Sequence, residues 1–201
     1  MSSEVIQMYR HGHLGISLLT LAPLIYVLTS AGHVAIPILV AIGILTVEPL
    51  PDNDQWIPGL SHRGTSHSFT AATIVGVVCA GLGWVLGHYV TVPLAKWVQP
   101  RATATDVAMI LTVGEQLAIL DSSTLAGFGF VVGVGGICVH LAGDIITVSG
   151  IQPFLPFSPR RVPLSGLRAD SMLANSVLFL AGTVAMVAVD YTLSPFAGGL
   201  P

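Results

Sequence analysis

Four potential ligands fall within one short stretch, Pro51 to Ser68, which reads PDNDQWIPGLSHRGTSHS: Asp52, Asp54, His62 and His67. Carboxylates and neutral imidazoles are donors for a first-row divalent cation, and the packing of apolar helices has no use for four of them together. Two further pairs have the same chemistry. His11 and His13 stand in HGH, just ahead of the first apolar run, and His140 and Asp144 lie four apart inside another. That spacing puts both on one face of a helix, about 6 Å apart. An ionisable pair inside an apolar span is costly and by default marks function with a partner; the plainer alternative is a His–Asp pair that satisfies itself. Asp52 and Asp54 can both point at a cation if their loop is extended, or else serve a turn, because PDND is also a good turn sequence. In His62-Arg63-Gly64-Thr65-Ser66-His67-Ser68, Gly64 is expected to make a sharp turn and His67 to sit at the start of a helix. Arg63 beside them would hold a phosphate or a developing negative charge, the alternative being a side chain that snorkels to lipid headgroups.

The elements that must bring these groups together are membrane helices. Hydrophobic residues make up 53% of the 201 and charged residues 8%, against about 25% charged in soluble domains, so the chain is an integral membrane protein. Its net charge of −3, with seven Lys and Arg in all, excludes a nucleic-acid surface. Cys79 and Cys138 fall inside apolar runs and read as small buried hydrophobes rather than a disulfide framework. The expected architecture is all-α, a polytopic helical bundle in one domain, 1–201, with about five spans of about 20 residues each: 14–31, 34–50, 69–92, 125–148 and 170–191. Pro23 predicts a kink, Gly32-His33 a tight turn, and Ser66 or Ser68 a helix cap. The central loop is read as irregular, 106–121 as a surface helix in preference to a hairpin, and the four prolines of 150–167 exclude a helix there. Arg10 followed by an apolar stretch imitates a signal peptide. Its removal would discard His11 and His13, and the stretch is expected to be retained.

Counting crossings tests the motif independently. With the amino terminus in the cytoplasm, Arg10, Arg63, Arg160, Arg161 and Arg168 share the inner side and Lys96 and Arg101 lie outside, the bias of the positive-inside rule. The same count puts His11, His13, Asp52, Asp54, His62, His67, His140 and Asp144 near the inner face. His33 and His88 land opposite. These eight are the expected metal ligands, in the cell membrane, on its cytoplasmic face.

In order along the chain, HGHLG, LPDND, SHRGTSHS and HLAGDIITVSGIQPFLPFSP resemble the YdjM-like family of membrane-bound metal-dependent hydrolases over nearly the whole length. The family's blocks fall here on His13, on Asp52 and Asp54, on His62 and His67, and on His140, Asp144 and Thr147. Two positions depart. Ser66 replaces the usual threonine and keeps a hydroxyl, and Gln55 stands where a histidine is often found, so no ligand is expected there. The resemblance implies a hydrolase that depends on a metal.

Five histidines and three carboxylates exceed one tetrahedral ion and could supply two, about 3.5–4 Å apart, as in phosphoester hydrolysis. The expected reaction is hydrolysis of a phosphoester in a membrane lipid or lipid-linked substrate, with Asp52 or Asp54 as general base or bridging ligand. Arg63, Ser66, Arg160 and Arg161 would hold the phosphate. Zinc is the first choice because histidine dominates, with manganese or iron as alternatives. A peptidase or amidase would use the same water. Outside enzymes, the groups could staple a scaffold or line an ion path, although the outer halves of the spans offer almost nothing ionisable to continue one.

Overall fold

The computed structural model describes residues 8–33, 35–56, 63–94 and 121–194. His62, Lys96, Arg101 and, but for its last residue, the 106–121 segment lie outside them. The protein is all-α, with helices α1 (Arg10–Ser30), α2 (Ala35–Val47), α3 (Phe69–Leu86), α4 (Ser122–Ile145) and α5 (Met172–Leu193). Among the described residues, five helical stretches are long and apolar enough to cross a membrane. At 13 residues α2 alone is too short, rising about 20 Å. Its apolar stretch reaches span length only by running on through a 3-10 segment, Pro51–Trp56. The central loop is therefore more regular than its composition suggests.

Residue contacts divide the chain into two compact units, one made of Met1–Ala72 with Gly135–Pro201, the other of Thr73–Val134. The first unit is built on the pairing of α1 with α5. A Cβ on Gly15 would lie 2.4 Å from the Leu178 carbonyl carbon, and one on Gly182 2.4 Å from the Gly15 carbonyl oxygen, so the two backbones meet where neither residue has a side chain. Asn175 locks the entrance to this pair. Its Oδ1 accepts from the Tyr9 N–H at 3.1 Å, while its Nδ2 donates to the carbonyls of Ala169 and Ser171. The outer face of α5 carries exposed Val177, Leu180, Val184 and Val187 at helical spacing, as lipid requires. α1 ends as Gly32 predicts, with a positive φ of 87° and the His33 N–H on the Leu28 carbonyl.

Ser68 caps α3, its Oγ accepting from the Ala71 N–H at 3.2 Å. Residues 150–167 form turns without a helix, held by single bridges between Ile151 and Val162 and between Thr147 and Leu167. The Phe69 N–H and the Thr70 hydroxyl donate to the carbonyls of Pro153 and Leu155, which fixes this loop to the start of α3. After it, Arg168 forks onto Asp170 on the surface, holding that carboxyl below its usual range. In the second unit, Gly129 lets α4 approach the Cys79 carbonyl and Gly133 lets it approach Gly76. α3 there runs on into a π-helical turn, Gly87–Thr91.

Candidate metal centre

The start of α1, the end of α2 with its 3-10 extension, the turn before α3 and the last turns of α4 contribute to one buried cluster, all of it within the first unit. His13, Glu48, Asp54, Arg63, His67, His140 and Asp144 are buried, while the Asp52 side chain is 32% exposed.

His67 and His140 face each other through Nε2 atoms 3.2 Å apart. Behind each ring a carboxylate takes the other nitrogen. Glu48 Oε1 lies 3.2 Å from His140 Nδ1. Asp54 Oδ2 lies 3.4 Å from His67 Nδ1, and the Ser66 Oγ stands 3.0 Å from the same nitrogen while donating to Asp54 Oδ2 at 2.5 Å. An Nδ1–H directed at a carboxylate leaves Nε2 as a lone pair, the arrangement typical of metal-bound histidine. Two lone pairs at 3.2 Å repel unless a cation or proton sits between them.

Two carboxylate oxygens complete the figure. Asp52 Oδ1 is 3.4 Å from His67 Nε2 and 3.5 Å from His140 Nε2, and Asp144 Oδ2 is 3.3 and 3.5 Å from the same two atoms. A tetrahedral ion with ligands at about 2.0–2.2 Å has ligand-to-ligand edges of about 3.3–3.6 Å. The five edges above run from 3.2 to 3.5 Å. Each triad, His67 and His140 with Asp52 or with Asp144, therefore fits one face of such a tetrahedron in size as well as in chemistry. Asp144 Oδ2, buried and without a hydrogen bond among the described residues, is one of its corners. The end of α4 adds a favourable dipole, since its carbonyl end is negative. Thr147 closes that end, its hydroxyl donating to the Asp144 carbonyl at 2.7 Å.

His13 adds a third imidazole. It stacks flat on His140, with centroids 4.3 Å apart and planes 3° apart, and so faces the same two acids: its Nδ1 is 3.5 Å from Glu48 Oε1 and its Nε2 3.8 Å from Asp144 Oδ1. Room for the ring comes from Gly143, where a Cβ would lie 2.6 Å from His13 Nδ1. His13, His140 and Asp144 form a second possible ligand group, beside that of Asp52, His67 and His140.

Several sequence expectations change here. Asp52 and Asp54 do not share a cation in an extended loop. In a 3-10 segment, residues two apart point about 120° away from each other, so Asp52 meets the Nε2 pair while Asp54 supports His67 from behind. His11, two residues before His13, turns to another face of α1, stacks on Tyr9 at 5.6 Å and joins neither ligand group. The left-handed residue of the central turn is Arg63, with φ 58°, and not Gly64, whose φ is −87°. Ser66 gives its hydroxyl hydrogen to Asp54 and so positions His67. Arg160 is exposed and Arg161 is engaged with the Ser149 carbonyl, so neither joins the cluster. The residue that sequence reasoning missed is Glu48. Its signal was a lone carboxylate closing an apolar run, four residues before Asp52.

The model of a family described as YdjM inner membrane protein matches residues 8–197. No curated protein and no solved structure matches the chain.

Proposed function

The chain belongs to the YdjM inner membrane protein family, and on that premise we propose that it is a membrane-embedded, metal-dependent hydrolase acting on a phosphoester of a lipid or lipid-linked substrate. The observation that carries the reading is the meeting of His67 and His140 through Nε2, each backed by a carboxylate and flanked by Asp52 and Asp144. The two histidines and two acids suit zinc first, with manganese or iron as alternatives. When bound, a divalent ion supplies Lewis acidity, making water a nucleophile at neutral pH and drawing charge from a phosphoryl oxygen.

The protein's own groups divide the remaining work. Glu48 and Asp54 hold the imidazoles in one tautomer and orientation. Asp52 is the one corner open to solvent, so its carboxylate is placed to take a proton from an approaching water. Arg63, anchored on Asp144, lies where a fixed positive charge would stabilise phosphoryl oxygens. The cluster draws on the ends of helices long and apolar enough to span a membrane, which supports a site at headgroup depth and a phosphorylated lipid as its substrate. The arginine distribution along the sequence supports a cytoplasmic location for that face.

A second reading is supported by the same four corners. Two histidines and two acids can fill a tetrahedron completely, the habit of a structural site, and the ion would then staple the helices without turnover. Elemental analysis of the purified protein, read with phosphate release from phosphatidic acid and prenyl phosphate micelles, separates the two. Release that stops on chelation and in His140→Ala supports the hydrolase. A stoichiometric ion with no release from any phosphoester leaves the staple.

A further inference from the structure

Resting on the metal-centre reading above, we infer that the site holds a single divalent ion and that Arg63 supplies beside it both the second positive charge and the binding edge for a phosphate-type oxyanion.

The division follows from how Asp144 is used. Its Oδ2 faces the two histidine Nε2 atoms, while its Oδ1 accepts from Arg63 Nη2 at 2.8 Å. A second ion bridged by this carboxylate would need Oδ1, with His13 Nε2 at 3.8 Å as its next ligand. The guanidinium already takes Oδ1, and its positive charge repels a further cation. The stacked His13 then serves the centre through Glu48 and Asp144 rather than through an ion of its own.

The remainder of the guanidinium identifies the ligand class. Arg63 is 5% exposed, and among the described residues its Nε and Nη1 atoms have no hydrogen-bond partner. Nε and Nη1 lie on the two different edges that flank Nη2, and the Nη2–H not given to Asp144 completes a fork with one of them, so a buried edge next to the cation site is left for the oxygens of a phosphate, which arginine takes in a forked pair of bonds. The backbone supports a specified position: a non-glycine residue at φ 58° is uncommon and held by its surroundings. One such hold is the Arg63 N–H on Asp54 Oδ2 at 3.3 Å. The turn thus ties the anion-binding edge to the carboxylate that orients His67.

The test uses the full chain in detergent, loaded with zinc. Elemental analysis should give one ion per wild-type chain, and calorimetric titration should show inorganic phosphate binding. Arg63→Gly suits the left-handed backbone while removing the guanidinium, and Arg63→Lys keeps the charge without the fork. Phosphate affinity should fall at least 100-fold in Arg63→Gly and about 10-fold in Arg63→Lys, with the ion retained in the lysine variant. Competition by phosphatidic acid but not phosphatidylcholine assigns the oxyanion to a lipid headgroup, and no competition assigns it to free phosphate. Two ions per wild-type chain, or phosphate binding indifferent to Arg63, overturns the inference and leaves the metal-centre reading standing. No ion at all overturns both. Should one variant fail to fold, the phosphate affinity of the other, read with the wild-type stoichiometry, decides.

Discussion

The Nε2 atoms of His67 and His140 lie 3.2 Å apart, and each ring has its Nδ1 turned to a carboxylate, Asp54 for the first and Glu48 for the second. The two acids act alike although one precedes the 3-10 segment and the other lies within it. Each fixes a tautomer, and the fixed tautomers put two lone pairs on a collision course that a cation resolves.

The protein should therefore be more stable with its ion than without. A ligand present at about 1,000 times its Kd adds about 4 kcal/mol to folding when the unfolded chain does not bind it. Thermal unfolding in detergent should shift down on chelation and return when zinc is restored. An unchanged midpoint, with metal loss confirmed by elemental analysis, would remove the centre from any account of this fold.

Glu48→Gln and Asp54→Asn should weaken metal binding without abolishing it. Groups that orient a ligating histidine contribute about 10–100-fold in affinity, so both variants should fill at high zinc and empty at low zinc. His67→Ala and His140→Ala should stay empty across the same range. Competition with a zinc chromophore reads the difference. Equal loss in all four would make Glu48 and Asp54 ligands in their own right.

How much of this was legible in the sequence depends on the distance over which each residue acts. His140 and Asp144 were readable because i, i+4 spacing is set by one helix, and Gly32 and Ser68 because their signals are local. The gathering of His13, Asp52, His67 and His140 was foreseen from crossing parity, which needs only the number of spans between them. Glu48 was overlooked because its role depends on two rings from other helices, His13 and His140. The exchange of duties between Asp52 and Asp54 escaped notice because it turns on whether PDNDQW is extended or wound. The strain at Arg63 was assigned to Gly64 on composition alone, and no sequence rule would have moved it.

Gly143→Ala should damage the centre from behind. The new methyl would sit 2.6 Å from His13 Nδ1, and that ring is pinned against His140 and cannot swing away freely. Overpacking of this kind costs about 1–3 kcal/mol. Gly127→Ala on the same helix, where nothing lies within 4 Å, should be tolerated. Paired thermal midpoints and zinc contents check this; equal behaviour of the two variants would mean that His13 does not depend on that gap.

Asp52→Asn separates catalysis from stapling, because Asp52 is the corner with access to solvent, at 32% exposure against 2% or less for His67, His140 and Asp144. Asparagine keeps the shape and offers a weaker oxygen donor, so three strong ligands remain to retain an ion. If the Asp52 carboxylate takes the proton from water, its loss should lower phosphate release by about 10²–10⁴-fold while the zinc content at saturation stays near that of the wild type. If instead the carboxylate only closes a tetrahedron, the variant should lose thermal stability together with zinc, and any turnover should fall only in proportion to the ion lost. The two quantities, release per bound ion and unfolding midpoint, move in opposite ways under the two readings, so one preparation of the variant measured both ways decides between them.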